Sequence, residues 1–538
     1  MTNRTFKAGV SREQLSLLPP RVEDYVGADN PVRAIEAYIC GLDLERLGFS
    51  HADHGGGAGQ PPYDPADLLK LYLYGYLNRI RSSRRLEREA QRNLELIWLL
   101  KGLAPGYRTI GNFRKDNWTA LKAANRDFVV LLQELDLLGG TLVAVDGAFF
   151  HGDASKGSIT THKRLTARLA ALEADIEGYG ATLEANDAAE AERSAASADR
   201  GDGGGLAEKL AAALAKRAAV QADLDRLERS GETQLSKTDA DARLLTKKGQ
   251  TVAGYNVQIA VDDKHKLIVA SEVVNDGNDS GQLYPMAKAA KAALGTATLT
   301  TVADTGYYNS QALKACEEDQ IVAYVAPVTR TARLEAQDRI SHAAFVYDAA
   351  ANVYRCPAGR LLTPTAGRKT NTGGRIEIRY VSRKSECDAC ALRPRCLSAK
   401  TPTRTVCRWE HEAVLDRHRA RMKDAAAQLR LRAALVEHPF GTLKCRAGYR
   451  HFLVRGFNKV RGEWSLMALC YNFTRVLSIL GIDRFVDILA RRAIERAVLP
   501  VLSVTTVAIS RATAVTGRIW AVLSRKSTAV RFCFDPVV

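Results

Sequence analysis

The chain has 538 residues, 46% hydrophobic and 25% charged; these are ordinary globular values, which exclude global disorder and leave room for several cored domains. Lys and Arg outnumber Asp and Glu by 77 to 60, a net charge of +17, and such a surplus favours a polyanionic partner, nucleic acid before an anionic membrane. The N-terminal MTNRTFKAGVSREQ has no apolar core, so no secretory signal is expected, and the apolar run near Val498 to Ile509 is broken by Pro500 and Ser503, too short for a membrane span. Ten cysteines without a signal point to a reduced, cytoplasmic setting with thiols available for metal.

Residues 1–138 read as a helical N-terminal domain. Asp64 to Ile80 carries Leu68, Leu69, Tyr72, Leu73, Tyr76 and Leu77, the spacing of a helix with one buried face. RIRSSRRLEREAQRN follows, with a Ser-Ser pair suited to cap a new helix and with Arg84 and Arg85 as candidate DNA contacts. Thr109 to Arg114 reads as a turn into another amphipathic helix ending near Leu138. A basic helical bundle suits contact with a DNA backbone, and a solvated charged face is the plainer alternative.

Gly139-Gly140 punctuates the entry to an apolar strand, Thr141 to Val145, ending at Asp146 in VAVDGAFF. From 160 to 246 the composition changes. Leu165, Leu169, Leu172 and Ile176, then Leu206, Leu210, Ala213, Val220, Leu224 and Leu227, keep a helical rhythm on either side of an Ala/Asp/Glu segment closing in DRGDGGG. Two helices around a flexible tip make an antiparallel hairpin, inserted because strand-like sequence resumes after it. GYNVQIAV (Gly254 to Val261) and LIVASEVV (Leu267 to Val274), joined by DDKHK, predict a β-hairpin. A helix over Gln282 to Leu294 leads to a strand, Thr298 to Ala303, ending at Asp304 in TVADTGYYN, and a short strand follows at Ile321 to Ala326. This order predicts an α/β catalytic core, residues 139–482, with an RNase H-like mixed sheet whose carboxylates meet at strand ends.

Residues 345–407 form a Cys-rich β insertion. Cys356 in YRCPAG and Cys387, Cys390 and Cys396 in SECDACALRPRC include a C-x2-C pair, which lets two thiolates reach one tetrahedral Zn²⁺ from a tight turn. Four free thiols are the alternative, and Cys407 is a substitute ligand. Cys40, Cys316, Cys445, Cys470 and Cys533 read as ordinary buried residues. Glu437 lies in VEHPFGTLK, in a helix-like stretch, with Lys444 seven residues on.

Two strand-borne aspartates and a helix-borne glutamate are able to hold two Mg²⁺ ions, with Mn²⁺ as a substitute; that is the chemistry of phosphodiester cleavage and transfer. Asp153, Asp276 and Asp279 are rival carboxylates in turn-like contexts, and Glu463 rivals Glu437 as the third ligand. Arg446, Arg450, Arg455, Lys459 and Arg461, interleaved with Tyr449, Phe452, Phe457 and Trp464, suit DNA backbone and unstacked bases, or else the aromatics pack internally.

On these three islands the chain resembles the DDE transposases of bacterial insertion sequences, in the large IS-four/IS-five-like superfamily, over roughly residues 10 to 482. VAVDGAFF is similar to that family's first Asp motif, VADTGYYN to its second, and VEHPFGTLK with HFLVRGFNKVRGEWSLMALCYNFTRVL to its glutamate region. The resemblance implies metal-dependent cleavage at the terminal inverted repeats and strand transfer to target DNA. It also implies Asp146, Asp304 and Glu437 as the triad, Lys444 at a phosphate, and a homodimer or higher assembly. The family's usual Tyr and Arg before the glutamate are not cleanly present; Arg430 and Arg432 are the near arginines. A catalytically inactive or domesticated DNA-binding relative and an RNase H-like nuclease that only hydrolyses are the competing readings. No role is assigned to the tail, residues 483–538.

Overall fold

The computed structural model describes residues 21–52, 61–193, 203–247, 249–327, 336–370 and 374–493. They form two compact units, one drawn from 1–128 and 442–538 and the other from 129–441.

The first unit is helical: α1 (Pro31–Cys40), α2 (Pro65–Leu77), α3 (Ser83–Arg92), α4 (Leu94–Leu99), α5 (Tyr107–Asp116) and the long α15 (Phe457–Leu480), with α6 (Trp118–Glu134) crossing the boundary. Asp64 caps α2 by accepting from the Ala66 amide at 2.8 Å, and Pro65 presets its first turn. Where one buried face was expected, every residue of α2 from Leu68 to Tyr76 is buried, because α1, α4, α5 and α15 surround it. The segment Thr109 to Arg114, expected as a turn, is helical within α5; Ile110, Phe113 and Arg114 form its buried side, and Phe113 stacks on Tyr72 at 5.9 Å.

Helix α15 was expected inside the region 139–482; it packs instead with α2 and α5 in the first unit. Its residues from Gly462 to Phe473 are all buried, so it needs cover on every side, which a sheet face alone does not give.

The second unit is mixed α/β. Its larger sheet has the order β4-β5-β1-β7-β8, with β6 also paired to β5: β1 (Leu142–His151), β4 (Arg243–Lys247), β5 (Gln250–Asp262), β6 (Ile268–Val274), β7 (Leu299–Ala303) and β8 (Ile321–Val325). β1 runs antiparallel to β5 and parallel to β7, and β7 runs parallel to β8. The expected hairpin and the strand into Asp304 are present. Helix α9 (Leu283–Leu294) packs on β1, β5, β6 and β7, and α14 (Ala426–Gly441) on β1, β5, β7 and β8. The apolar positions of β5 and β1 form the middle of this core, including Val143, Val145, Val257, Ile259 and Val261.

Between β2 (Ile159–Thr161) and β3 (Gln234–Ser236), which pair with each other, stand α7 (His162–Arg193) and α8 (Gly203–Ser230). Leu165, Val220, Leu224 and Leu227 form their small core, and contacts from His162 to Glu228 and from Arg217 to Glu173 set an antiparallel register. Gly203 to Gly205 open α8 rather than belonging to the tip, while residues 194–202 lie outside the described residues.

A second sheet, β13-β12-β11-β10-β9, is antiparallel throughout: β9 (Val346–Asp348), β10 (Val353–Arg355), β11 (Leu361–Thr370), β12 (Ile376–Ser382) and β13 (Thr405–Trp409). Its core is Phe345, Tyr354, Leu362, Tyr380 and Val406, with the Tyr354 and Tyr380 rings edge to face at 5.0 Å. Short helices α11 (Lys384–Asp388) and α12 (Arg393–Cys396) carry Cys387 and Cys396, with Cys390 between them, and α10 (Ser310–Glu318) and α13 (Glu412–Met422) flank β8. Among the described residues no single helix is long and apolar enough to cross a membrane.

Candidate active site

Asp146 does not end its strand. β1 continues through it to His151, because β5 pairs with it as far as Gly254. What ends just before Asp146 is the parallel ladder: the last pair of β1 and β7 is Ala144 with Val302, and β7 stops at Ala303. Two residues further along each strand stand Asp146 and Asp304, so the register itself juxtaposes them, neighbouring strands lying about 4.8 Å apart. The side chain of Asp304 caps a short 3-10 turn, Thr305–Tyr307, accepting from the Gly306 amide at 2.9 Å. That of Asp146 accepts from the Gly147 amide at 2.9 Å and lies 3.4 Å from Arg432 Nη1 of α14.

Burial raises the pKa of Asp146 above the ordinary carboxylate value; Arg432 and the Gly147 amide pull it back, and the charge of Asp304 pushes it up again. An anion penalised both by burial and by a like neighbour is what a divalent cation relieves, so the pair fits a metal-holding role. Among the described residues, no three His, Cys, Asp or Glu side chains are close enough to hold one ion.

Glu437 is exposed. The buried side of α14 is formed by Leu435, Val436, Pro439 and Phe440, with the Phe440 ring 6.3 Å from Phe150. Arg432, not Glu437, reaches Asp146; five residues on, Glu437 points about 140° away around the helix. Of the rival carboxylates, Asp153 and Asp276 are exposed, and Asp276 accepts from Gln282 Nε2 at 2.8 Å. Asp279 is 6% exposed, accepts from Asn256 and Gln258 at 2.8 Å each, and pairs with Lys247 at 3.2 Å. Sequence reading passed over Asn256, Gln258 and Lys247. The signal was there: two amides two residues apart on one face of an otherwise apolar strand.

Glu463 belongs to the other unit and is wholly buried: Tyr76 Oη donates to it at 3.0 Å, the Leu453 amide at 2.8 Å, and Arg114 and Arg81 stand 3.4 and 3.7 Å away. Those four partners belong to the same unit, so Glu463 serves that fold. Tyr449, Phe452 and Trp464 are buried too, which removes them as base-stacking surfaces; Phe457 is covered by Arg461 at 4.8 Å. The basic residues among them differ: Arg446, Arg450 and Arg455 are exposed, and Lys444 and Lys459 half-buried. Arg84 and Arg85 are exposed on α3, where Arg84 lies over the Tyr107 ring at 5.2 Å.

The four clustered cysteines line one pocket beside the small sheet. Burial raises the pKa of Cys396, and Cys387, Cys356 and Cys390 add to the rise, so the four lie within electrostatic reach of one another. The CPAG turn closes with the Arg360 amide donating to Cys356 Sγ at 3.3 Å, and Ser382 Oγ meets Cys387 Sγ at 3.0 Å. No three of them stand at metal-holding distance as placed. Cys407 is exposed on β13 and does not line the pocket. Cys316 and Cys470 are buried as expected, whereas Cys40 and Cys445 are exposed; Cys533 lies outside the described residues.

Two family models match the chain, a transposase DDE domain over residues 355–477 and a transposase domain (DUF772) over residues 20–116. The chain is a DDE transposase of an insertion sequence. No curated protein and no solved structure matches it. The DDE-domain match takes in the four cysteines and Glu437. Asp146 and Asp304 of the transposase lie before it, so their pairing rests on strand register and on the electrostatic contact between them.

Proposed function

We propose that this transposase binds the terminal repeats of its element, cuts the DNA there in a Mg²⁺-dependent reaction and joins the freed 3′-hydroxyl to target DNA. The observation that carries the reading is the parallel register of β1 and β7, whose last pair, Ala144 with Val302, stands two residues before Asp146 and Asp304. The sheet supports it: counting β1, β5, β6, β7 and β8 as first to fifth, the order is 3-2-1-4-5 with the second antiparallel to the first, the arrangement of an RNase H-like core.

In this reading Asp146 and Asp304 would hold the divalent ions, and Glu437, exposed on α14 and turned away from Asp146, would complete the set only after turning toward them. Bound Mg²⁺, or Mn²⁺ in its place, would lower the pKa of the attacking water or hydroxyl and would stabilise the leaving oxygen. The chain's own residues prepare for this. The desolvated carboxylate of Asp146 favours a cation over water, and Arg432 supplies that positive charge in the protein alone. Arg432 also has the planar fork that meets a phosphate in two hydrogen bonds. Lys444, Arg446, Arg450, Arg455 and Lys459, with Arg84 and Arg85, are the proposed backbone contacts, each costing salt-dependent affinity when removed. A homodimer or larger assembly would pair the two element ends, in the cytoplasm. Cys356, Cys387, Cys390 and Cys396 are proposed to hold one structural Zn²⁺ that staples the small sheet.

The test is cleavage of a supercoiled plasmid carrying the element ends, with Mg²⁺, by wild type and by Asp146→Ala, Asp304→Ala and Glu437→Ala. All three variants should bind the ends and fail to cut. A Glu437→Ala protein that cuts like wild type removes Glu437 from the triad; a wild type that binds and never cuts, even with Mn²⁺, makes the inactive DNA-binding relative the better description.

A further inference from the structure

Beside the two aspartates lies a buried polar network that the reaction as described does not use. Asp279 stands in the turn before α9. Its Oδ1 accepts from both Asn256 Nδ2 and Gln258 Nε2, and its Oδ2 faces Lys247 Nζ. Asn256 and Gln258 are themselves wholly buried. Burying a carboxylate and two amides is unfavourable unless each finds partners, a cost that Val or Leu in the same strand would not carry. Asn256 Nδ2, Gln258 Nε2 and Lys247 Nζ are all donors, matched to the acceptor oxygens of Asp279.

The network ends on both aspartate-bearing segments. A Cβ at Gly147, the residue after Asp146, would lie 2.3 Å from Gln258 Nε2, 2.7 Å from Asp279 Oδ1 and 3.0 Å from Asn256 Oδ1. The network therefore fills the space under Gly147, on the strand face opposite to that of Asp146. On the other side, Tyr307 closes the turn that Asp304 caps, and its hydroxyl donates to Gln258 Oε1. Asp279 Oδ2 also lies 3.9 Å from where a Cβ of Gly306 would stand. One carboxylate thus lies against the backbone next to Asp146 and, through Gln258, reaches the turn next to Asp304.

We propose that Asp279 is a positioning residue, which holds Asp146 and Asp304 at the separation a shared divalent cation requires; this rests on the metal-holding role proposed for that pair. Positioning groups behind a metal site typically control affinity by 10–100-fold.

The experiment is calorimetric titration of Mn²⁺ into the metal-free full-length protein, for wild type, Asp146→Ala, Asp279→Asn, Tyr307→Phe and the Asp279→Asn/Tyr307→Phe double variant. Circular dichroism and thermal melting run alongside, with plasmid cleavage as a separate arm. Asp279→Asn should melt near wild type and bind Mn²⁺ about 10-fold more weakly. Tyr307→Phe should weaken binding as well, and the double variant should be no worse than the worse single one, because both cut the same network. Tyr307→Phe leaves every strand pair intact, so it separates positioning from folding should Asp279→Asn melt early. Wild-type Mn²⁺ affinity in Tyr307→Phe, together with either wild-type affinity or early melting in Asp279→Asn, overturns the proposal, as does a wild type that binds no Mn²⁺. The cleavage arm is independent: Mn²⁺ binding that depends on Asp279 in a protein that never cuts sinks the transposition reading and leaves this one standing. Normal cutting with Asp279-independent Mn²⁺ binding does the reverse.

Discussion

Replacing Glu463 by alanine should unfold the helical unit early. The carboxylate is 0% exposed and faces Arg114 and Arg81, which expose only 9% of their own side chains. Removing it leaves two guanidinium groups buried without an anion and strands the Tyr76 hydroxyl and the Leu453 amide. Breaking a buried ion pair from one side costs about 3–5 kcal/mol. For a folding unit of this size each kcal/mol moves the melting temperature by about 2–4 °C, so the expected drop is about 6–20 °C. Glu463→Gln keeps an acceptor for the amide while losing the charge, and should fall by about half as much. Differential scanning calorimetry on both variants reads this directly; because the two units need not melt together, the shift should appear in one transition only. A drop below about 3 °C for Glu463→Ala, close to 1 kcal/mol, would refute the ion cluster as a stabilising element. Normal melting with abolished cleavage in Glu463→Gln would return Glu463 to contention as a ligand.

Asp146→Asn should raise the melting temperature of the metal-free protein at pH 7. The folded-state pKa of Asp146 lies above its ordinary value, so ionisation costs stability as pH rises through that window; the gain should vanish when melts are repeated below pH 4, and a variant no more stable at pH 7 contradicts the burial argument. Gly254→Ala should disrupt the β1–β5 pairing, since a Cβ there would sit 2.0 Å from the Phe150 carbonyl oxygen and 2.5 Å from the Gly152 amide, both rigid backbone; a loss of more than about 2 kcal/mol in urea denaturation is expected, and a silent substitution excludes the close approach. Elemental analysis of the purified protein should find one zinc per chain, lost in Cys387→Ser/Cys390→Ser, with Cys407→Ser unchanged; a metal-free wild type leaves four thiols around a pocket.

The sequence by itself determined what is local. A run of β-branched and small apolar residues ending in Asp gave β7, the DDKHK break gave the β5–β6 hairpin, and the helical rhythm of apolar residues gave α2 and the α7–α8 pair. Each is a pattern the chain carries within a dozen residues. Periodicity states that a side chain is buried and is silent about what buries it, and everything the tertiary structure decided follows from that. Only the register between β1 and β7 sets Asp146 beside Asp304; only the packing of α15 with α2 and α5 turns Glu463 from a rival ligand into the anion of a buried cluster. The rotation of α14, fixed by Val436, Pro439 and Phe440 seeking the core, brings Arg432 to Asp146 and leaves Glu437 in solvent. Asp279 looked like a turn former; it became a buried carboxylate because Asn256, Gln258 and Lys247, all at least twenty residues away, converge on it.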